Sequence, residues 1–490
     1  MNPAQAKDAM TDTKGPFPAL SPSTAPHSES QPTRGKPSGP AAPDVTLPLR
    51  FMAVGLASLL ATVVLLVIRP DVLTTYHYNQ WTTAITHLFV LGFGLSVAMG
   101  AMYQLVPVAL ETRLHSERLA RWHFPVHLVS VAGMVWMFWV WDMKQVGHFG
   151  SGLALGVGLF VWNVVQTLRR APRWTVVSFG ITSTVFWLAA VVIAGLAVAA
   201  AKSTYERVGQ PGISPALGAT LEGLQAVAMF VGRFEPLGVM HAHAHLGVLG
   251  VFLVLIIGVG YRLVPMFLIS DIQSRARAWA SIGLLNAGIL LSFATIVLQH
   301  PLKPAAALVV IAGLGLYGIE LTTIVRARRR RSVDGGLQVF LISQALLAPV
   351  ALLGLWLAQP GLALDESVGR LENTYGFLGL FGVVALAILG MLHKILPFLI
   401  WFVAYSQEVG RSRTPTLQEM GSPRLQAACF VLWITGLGVG TAAILLAHTA
   451  ASRFAALLLA AGLLALLVNA GRILSHLVRP RRQPLRLRSP

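Results

Sequence analysis

The chain has 490 residues, 55% of them hydrophobic and only 11% charged, with a mean hydropathy of +0.68. Soluble domains carry roughly 25% charged residues, so a water-soluble globular protein is excluded. The net charge of +18 does not mark a nucleic-acid binder, because the basic residues sit in short loops between apolar runs, as in membrane proteins that keep positive loops on one side.

Residues 1–46 are rich in Pro, Ser, Thr, Ala and Lys and lack apolar periodicity. They are expected to form a disordered cytoplasmic tail, and they lack the apolar core of a secretory signal. Apolar runs follow at roughly 51–68, 82–107, 123–142, 150–168, 175–200, 239–265, 279–299, 304–325, 338–358, 374–403, 427–448 and 454–475. Each can cross a hydrocarbon core of about 30 Å as a helix, and a chain in lipid must satisfy its own backbone polar groups. The expected fold is therefore all-α, a transmembrane domain of about twelve helices over 47–478. A basic tail, 479–490, follows it.

Charge sets the expected orientation. Arg113, Arg118 and Arg121, then Arg169, Arg170 and Arg173, then Arg326 and Arg328 to Arg331, fall in alternate loops, as do the C-terminal Arg479, Arg481 and Arg482. The other loops are poor in Lys and Arg, which predicts both termini inside a bacterial-type inner membrane. The connection 201–238 is expected outside, with its apolar stretch from Ala216 to Val231 as a short interfacial helix. The one cysteine, Cys429, has no partner for an intrachain disulfide.

Three segments align without gaps. They begin at His87, His245 and Phe377. Glycines follow at Gly92 and Gly100, at Gly250 and Gly258, and at Gly382 and Gly390. The segments close on Tyr103-Gln-Leu-Val-Pro107, Tyr261-Arg-Leu-Val-Pro265 and His393-Lys-Ile-Leu-Pro397. They fall on spans 2, 6 and 10, so all three helices run the same way. The chain is thus expected to hold three pseudo-symmetric four-helix units, about 51–168, 175–325 and 338–475. Small residues in register let such helices approach one another or a flat ligand closely.

Histidines carry the chemistry. A histidine inside a membrane helix is costly unless paired, solvated or liganded. His87 and His245 open spans 2 and 6 at equivalent repeat positions, and His241 and His243 lie just before His245. On a helix His241 and His245 share a face, while His243 points away from both. Neutral imidazole ligates heme iron and copper. The loop histidines His77, His148 and His448 are expected to be solvated. A second group, His123, His127 and His393, lies toward the other end, His393 about 24 Å beyond the His87 level. With Glu320 in span 8, these could form a second site or a proton path.

Twelve helices in three units, with histidines at the outer ends of spans 2 and 6, resemble subunit I of the heme-copper oxidase superfamily, which includes cytochrome oxidases and nitric oxide reductases. The likeness covers roughly residues 50–478. It implies that His87 is an axial ligand of a low-spin heme and that one of His241, His243 or His245 binds copper. It thus implies His87, His243 and His245 for cofactor binding and His241 and His245 for a metal, with heme of the b type and copper beside it. An electron-donor protein or quinol and small accessory subunits are the implied partners, besides the lipid bilayer. The family's His-x-His at span 10 is absent, since Asn373-Thr-Tyr-Gly-Phe377 stands there. Span 7 offers only His300, at its far end, and the tyrosine expected four residues after the span 6 ligand is missing. The standard binuclear centre cannot be assembled, so oxidoreductase activity of this type is one expectation among three. The others are a cofactor-free transporter or channel and a heme- or copper-handling assembly or sensing factor. The His-Ala-His motif is also similar to NnrS-type heme–copper membrane proteins.

Overall fold

A computed structural model describes residues 45–203, 215–363, 365–409, 411–480 and 483–484. Each expected span is a helix: α1 (Thr46–Ile68), α2 (Gln80–Ala109), α3 (Glu117–Val140), α4 (Met143–Leu168), α5 (Val176–Lys202), α6 (Pro236–Leu268), α7 (Arg275–Val297), α8 (Lys303–Arg326), α9 (Gly335–Leu357), α10 (Glu366–Glu408), α11 (Pro423–Leu445) and α12 (Thr449–Val478). All twelve are long and apolar enough to cross a bilayer, so this is an all-α, multi-pass membrane protein. Among the described residues the only strand pairing joins Ser412–Arg413 to Gln483–Pro484. Residues 1–44 of the expected tail, and 481–482 and 485–490 at the basic end, lie outside the described residues. The 201–238 connection holds a helix at Pro215–Val231.

Side chains start most of these helices. Asn79, Ser116, Asp142, Glu235, Ser274, Asp334, Asp365 and Ser422 each accept a backbone N–H of the first turn. Thr175 and Ser178 form a reciprocal capping box. Caps of this kind satisfy donors that a helix start otherwise leaves bare.

Burial separates the helices into two classes. Within their most apolar stretches α2, α6 and α10 are 61%, 67% and 72% buried, against 28–44% for the other nine. The three repeat helices are therefore the inner ones. The outer helices present exposed Trp122, Val129, Trp136, Leu155, Phe186 and Ile193, the apolar surface that lipid covers.

The repeat is visible in packing. A Cβ on Gly100 would sit 3.0 Å from the Pro48 carbonyl of α1, one on Gly258 2.9 Å from Gly180 Cα of α5, and one on Gly390 2.5 Å from the Gly336 carbonyl of α9. In each unit the same glycine lets the inner helix touch the backbone of the unit's first helix. The repeat also shows in the backbone. Each inner helix runs as a π-helix just past the repeat's first residue, at Leu88–Leu95, Leu246–Leu253 and Leu378–Val384. π-helix is rare, and it loosens the normal backbone ladder. The carbonyls of Leu91 and Phe381, at equivalent positions, are taken up by side chains. Ser96 Oγ donates to the first at 3.1 Å and Trp433 Nε1 to the second at 3.0 Å.

Candidate histidine-lined cavity

At the end opposite the arginine-rich loops, α2, α6 and α10 part around a cavity of about 1020 Å³. Its wall is mainly apolar, with a few polar groups converging on it, the usual character of a cofactor or ligand site. His77, His87, His241, His243 and His245 all line it.

His87 is held by its own helix. Its Nδ1–H donates to the Thr83 carbonyl at 2.8 Å, and its ring lies on Phe138 at 4.3 Å between centroids. That bond leaves Nε2 as the unprotonated nitrogen, and no hydrogen bond to it exists among the described residues. His245, at the same repeat position, repeats the device: its Nδ1–H donates to the His241 carbonyl at 2.7 Å. Its Nε2 then accepts from the Tyr375 hydroxyl at 3.3 Å, with the two rings stacked. Pinning one ring nitrogen to a carbonyl so that the other keeps its lone pair is how proteins prepare histidine for a metal. The third repeat has Phe377 at this position and brings Tyr375 in its place.

The other two members of the triplet point elsewhere. His243 turns toward α5, where a Cβ on Gly195 would lie 2.9 Å from its Cε1. Its Nδ1 is buried and has no hydrogen-bond partner. The His241 ring turns toward the loop between α1 and α2, and its Nε2 lies 3.0 Å from His77 Nε2. His77, expected to be solvated, is instead largely buried. Burial holds it below the ordinary histidine value against the opposing effect of its Asn373 hydrogen bond, so it is neutral at neutral pH.

The remaining expected site residues lie away from the cavity. His123 Nδ1 is 2.9 Å from the Tyr103 hydroxyl, and His127 Nε2 is 2.9 Å from Ser96 Oγ, between α2 and α3. His393 donates from Nδ1 to the Leu389 carbonyl at 2.9 Å and packs on Phe430 of α11. His123 Nε2, His127 Nδ1 and His393 Nε2 are buried without partners. Glu320 is fully occupied: Oε1 accepts the N–H groups of Gln273 and Ser274 at 2.6 and 2.9 Å, and Oε2 accepts Arg277 Nε at 2.8 Å. It anchors the start of α7 to α8. His300, by contrast, lines the cavity at its exposed rim, where it accepts the Leu302 N–H at 3.2 Å.

No protein-family model matches the chain. A stretch of 94 residues is 30% identical to the cytochrome c oxidase subunit 1 homolog, bacteroid, of Bradyrhizobium diazoefficiens. That stretch is 19% of this chain and 17% of the relative, so the chain matches less than a fifth of that relative's length. The fold and the comparison together define a multi-pass helical membrane protein with a distant, partial likeness to cytochrome oxidase subunit 1.

Proposed function

We propose that this protein binds heme in the cavity between α2, α6 and α10 and serves in electron transfer or in the redox chemistry or sensing of oxygen or nitric oxide. The observation that carries the reading is the matched pair His87 and His245. Both stand at the first repeat position, both donate from Nδ1 to the carbonyl four residues back, and both turn Nε2 toward one cavity. The bare Nε2 of His87 fits a group that supplies a metal, and the apolar wall fits a macrocycle.

In this reading His87 would hold the iron from α2, and His245 or His243 of α6 would be the candidates for a second ligand. A bound heme would supply one-electron chemistry, its potential set by axial ligation and burial. Phe138 would fix the orientation of His87, and Tyr375 would have to release the Nε2 of His245 before that ring could serve as a ligand. The arginine-rich loops at the opposite end support an outward-facing cavity in a bacterial-type inner membrane, where a protein or quinol donor could reach it. A handling or sensing role without turnover is the second reading. It is favoured by Phe377, which stands where a third cavity histidine would be, and by α7, which supplies none.

The test is an absorption spectrum of the purified protein, oxidised and dithionite-reduced, with a pyridine hemochrome assay on the same sample. A reduced-state heme band with near-stoichiometric iron is expected. A colourless, iron-free protein from heme-replete cells would overturn the reading and leave a transport pathway as the better account.

A further inference from the structure

We infer that His77, His241 and Glu372 form a binding site for a single divalent transition-metal ion, separate from the heme position. One ligand atom from each residue can be chosen so that all three lie within 4.8 Å of one another. The closest pair, the two Nε2 atoms, is 3.0 Å apart. Two nitrogens on a tetrahedral zinc at about 2.0–2.1 Å would be roughly 3.3 Å apart. The histidines are therefore nearly set, and the Glu372 carboxylate stands beside them, with Oε2 4.0 Å from His77 Nδ1.

The tautomer favours it. Asn373 Nδ2 donates to the carbonyls of Thr75 and Leu73, at 2.6 and 3.3 Å, which turns its Oδ1 toward His77. His77 Nδ1–H donates to that oxygen at 3.1 Å. His77 Nε2 therefore carries a lone pair, and it points at His241. A plain hydrogen bond from His241 would satisfy these two rings. It would not reach Glu372, which has the Tyr76 hydroxyl as a partner while its Oε2 is buried without a hydrogen bond. An orphaned carboxylate oxygen is costly, and a cation between the three groups resolves all of them at once. Two imidazoles and one carboxylate suit zinc, iron(II) or copper(II) and select against magnesium and calcium.

The placement adds a purpose. His77 precedes the first repeat by ten residues, His241 the second by four, and Glu372 the third by five. Each four-helix unit donates one ligand, so an ion here ties the three units together at the cavity's loop end. It lies about one helical turn from His245, through whose carbonyl bond to His241 it would also brace the cavity.

The experiment uses the full chain with a histidine-free tag, stripped with chelator and titrated with zinc(II), and with cobalt(II) for its d–d absorption. One equivalent of zinc is expected, bound at least a hundredfold more tightly than in His77→Ala or Glu372→Gln, with millimolar magnesium unable to compete. Glu372→Gln keeps the side-chain shape and serves if His77→Ala does not fold. The hemochrome of each preparation is read alongside, and zinc is titrated whether or not heme is present, so failure here and failure of the heme reading are separable. Equal zinc affinity in wild type and Glu372→Gln, or no stoichiometric zinc at tens of micromolar, would overturn the proposal.

Discussion

Gly180 of α5 and Gly258 of α6 meet backbone to backbone: a Cβ on Gly180 would lie 2.7 Å from Gly258 Cα, and one on Gly258 2.9 Å from Gly180 Cα. Neither neighbour is a flexible side chain that could step aside. Gly258→Val should therefore force the two helices apart and destabilise the protein by about 1–3 kcal/mol or more. A thermal melt in detergent should show the loss. Gly315, where nothing stands within 4 Å, is the control, and Gly315→Ala should leave the melt unchanged. Equal effects at the two positions would contradict the close approach.

Heme retention should separate the two histidine groups. His87→Ala removes the unoccupied Nε2 from the cavity and should lower the hemochrome-to-protein ratio at least tenfold. His123→Ala removes a ring that bonds Tyr103 and does not line the cavity, and it should keep the wild-type ratio. The reverse pattern would move the cofactor to the opposite end of the bundle.

Glu320 is expected to act in folding. Its carboxylate gathers two backbone N–H groups and the Arg277 guanidinium. Glu320→Ala leaves those donors unpaired, although Arg277 is partly exposed and can reach water. A loss of about 2–3 kcal/mol is expected, with the heme spectrum unchanged in whatever protein folds. A spectral or potential shift at wild-type stability would instead support a proton-path role.

Asp334 predicts an acid limb. It caps α9 and pairs with Lys394 of α10. Burial pushes its carboxyl up, but the Lys394 hydrogen bond and charge, the Leu337 N–H and Arg330 together hold it below the ordinary carboxylate value. A depressed folded pKa means that its stabilisation is complete above the unfolded value and fades as pH falls through the folded one. The melting temperature of wild type should therefore fall more steeply below about pH 4 than that of Asp334→Asn, which has no such charge to lose. Parallel curves would show that the pair contributes nothing.

The twelve helices were legible because hydropathy over about 20 residues reports directly on what a bilayer tolerates. α3, α4 and α10 start six to eight residues before their expected positions, and the one that bears on the candidate site is α10. Its first turns, Glu366 to Asn373, are polar, and the Asp365 cap rather than hydropathy starts them. That stretch carries Glu372 and Asn373, so the same signal gap hid part of the candidate metal site. The opposed faces of His241 and His243 followed from helical periodicity. The partnership of His77 with His241 did not, since the two are 164 residues apart in the chain and nothing local marks a loop histidine as buried. His77, His241 and Glu372 stand ten, four and five residues before their repeats, so an alignment of the three flanks does not bring them into register either. The π segments had no visible signal, because the wider turn needs no special residue.

Those π segments also bear on ancestry. A π turn is what a helix retains after one residue is inserted without breaking it, and here it stands at one register in all three units. Three separate insertions at one register are a less economical history than a single insertion copied twice. The founding four-helix ancestor would then have carried the extra residue before it was duplicated. Deleting one residue between Leu88 and Leu95 would undo that event in one copy. It would turn the preceding stretch of α2 by about 100° and swing His87 out of the cavity while leaving a continuous helix in the membrane.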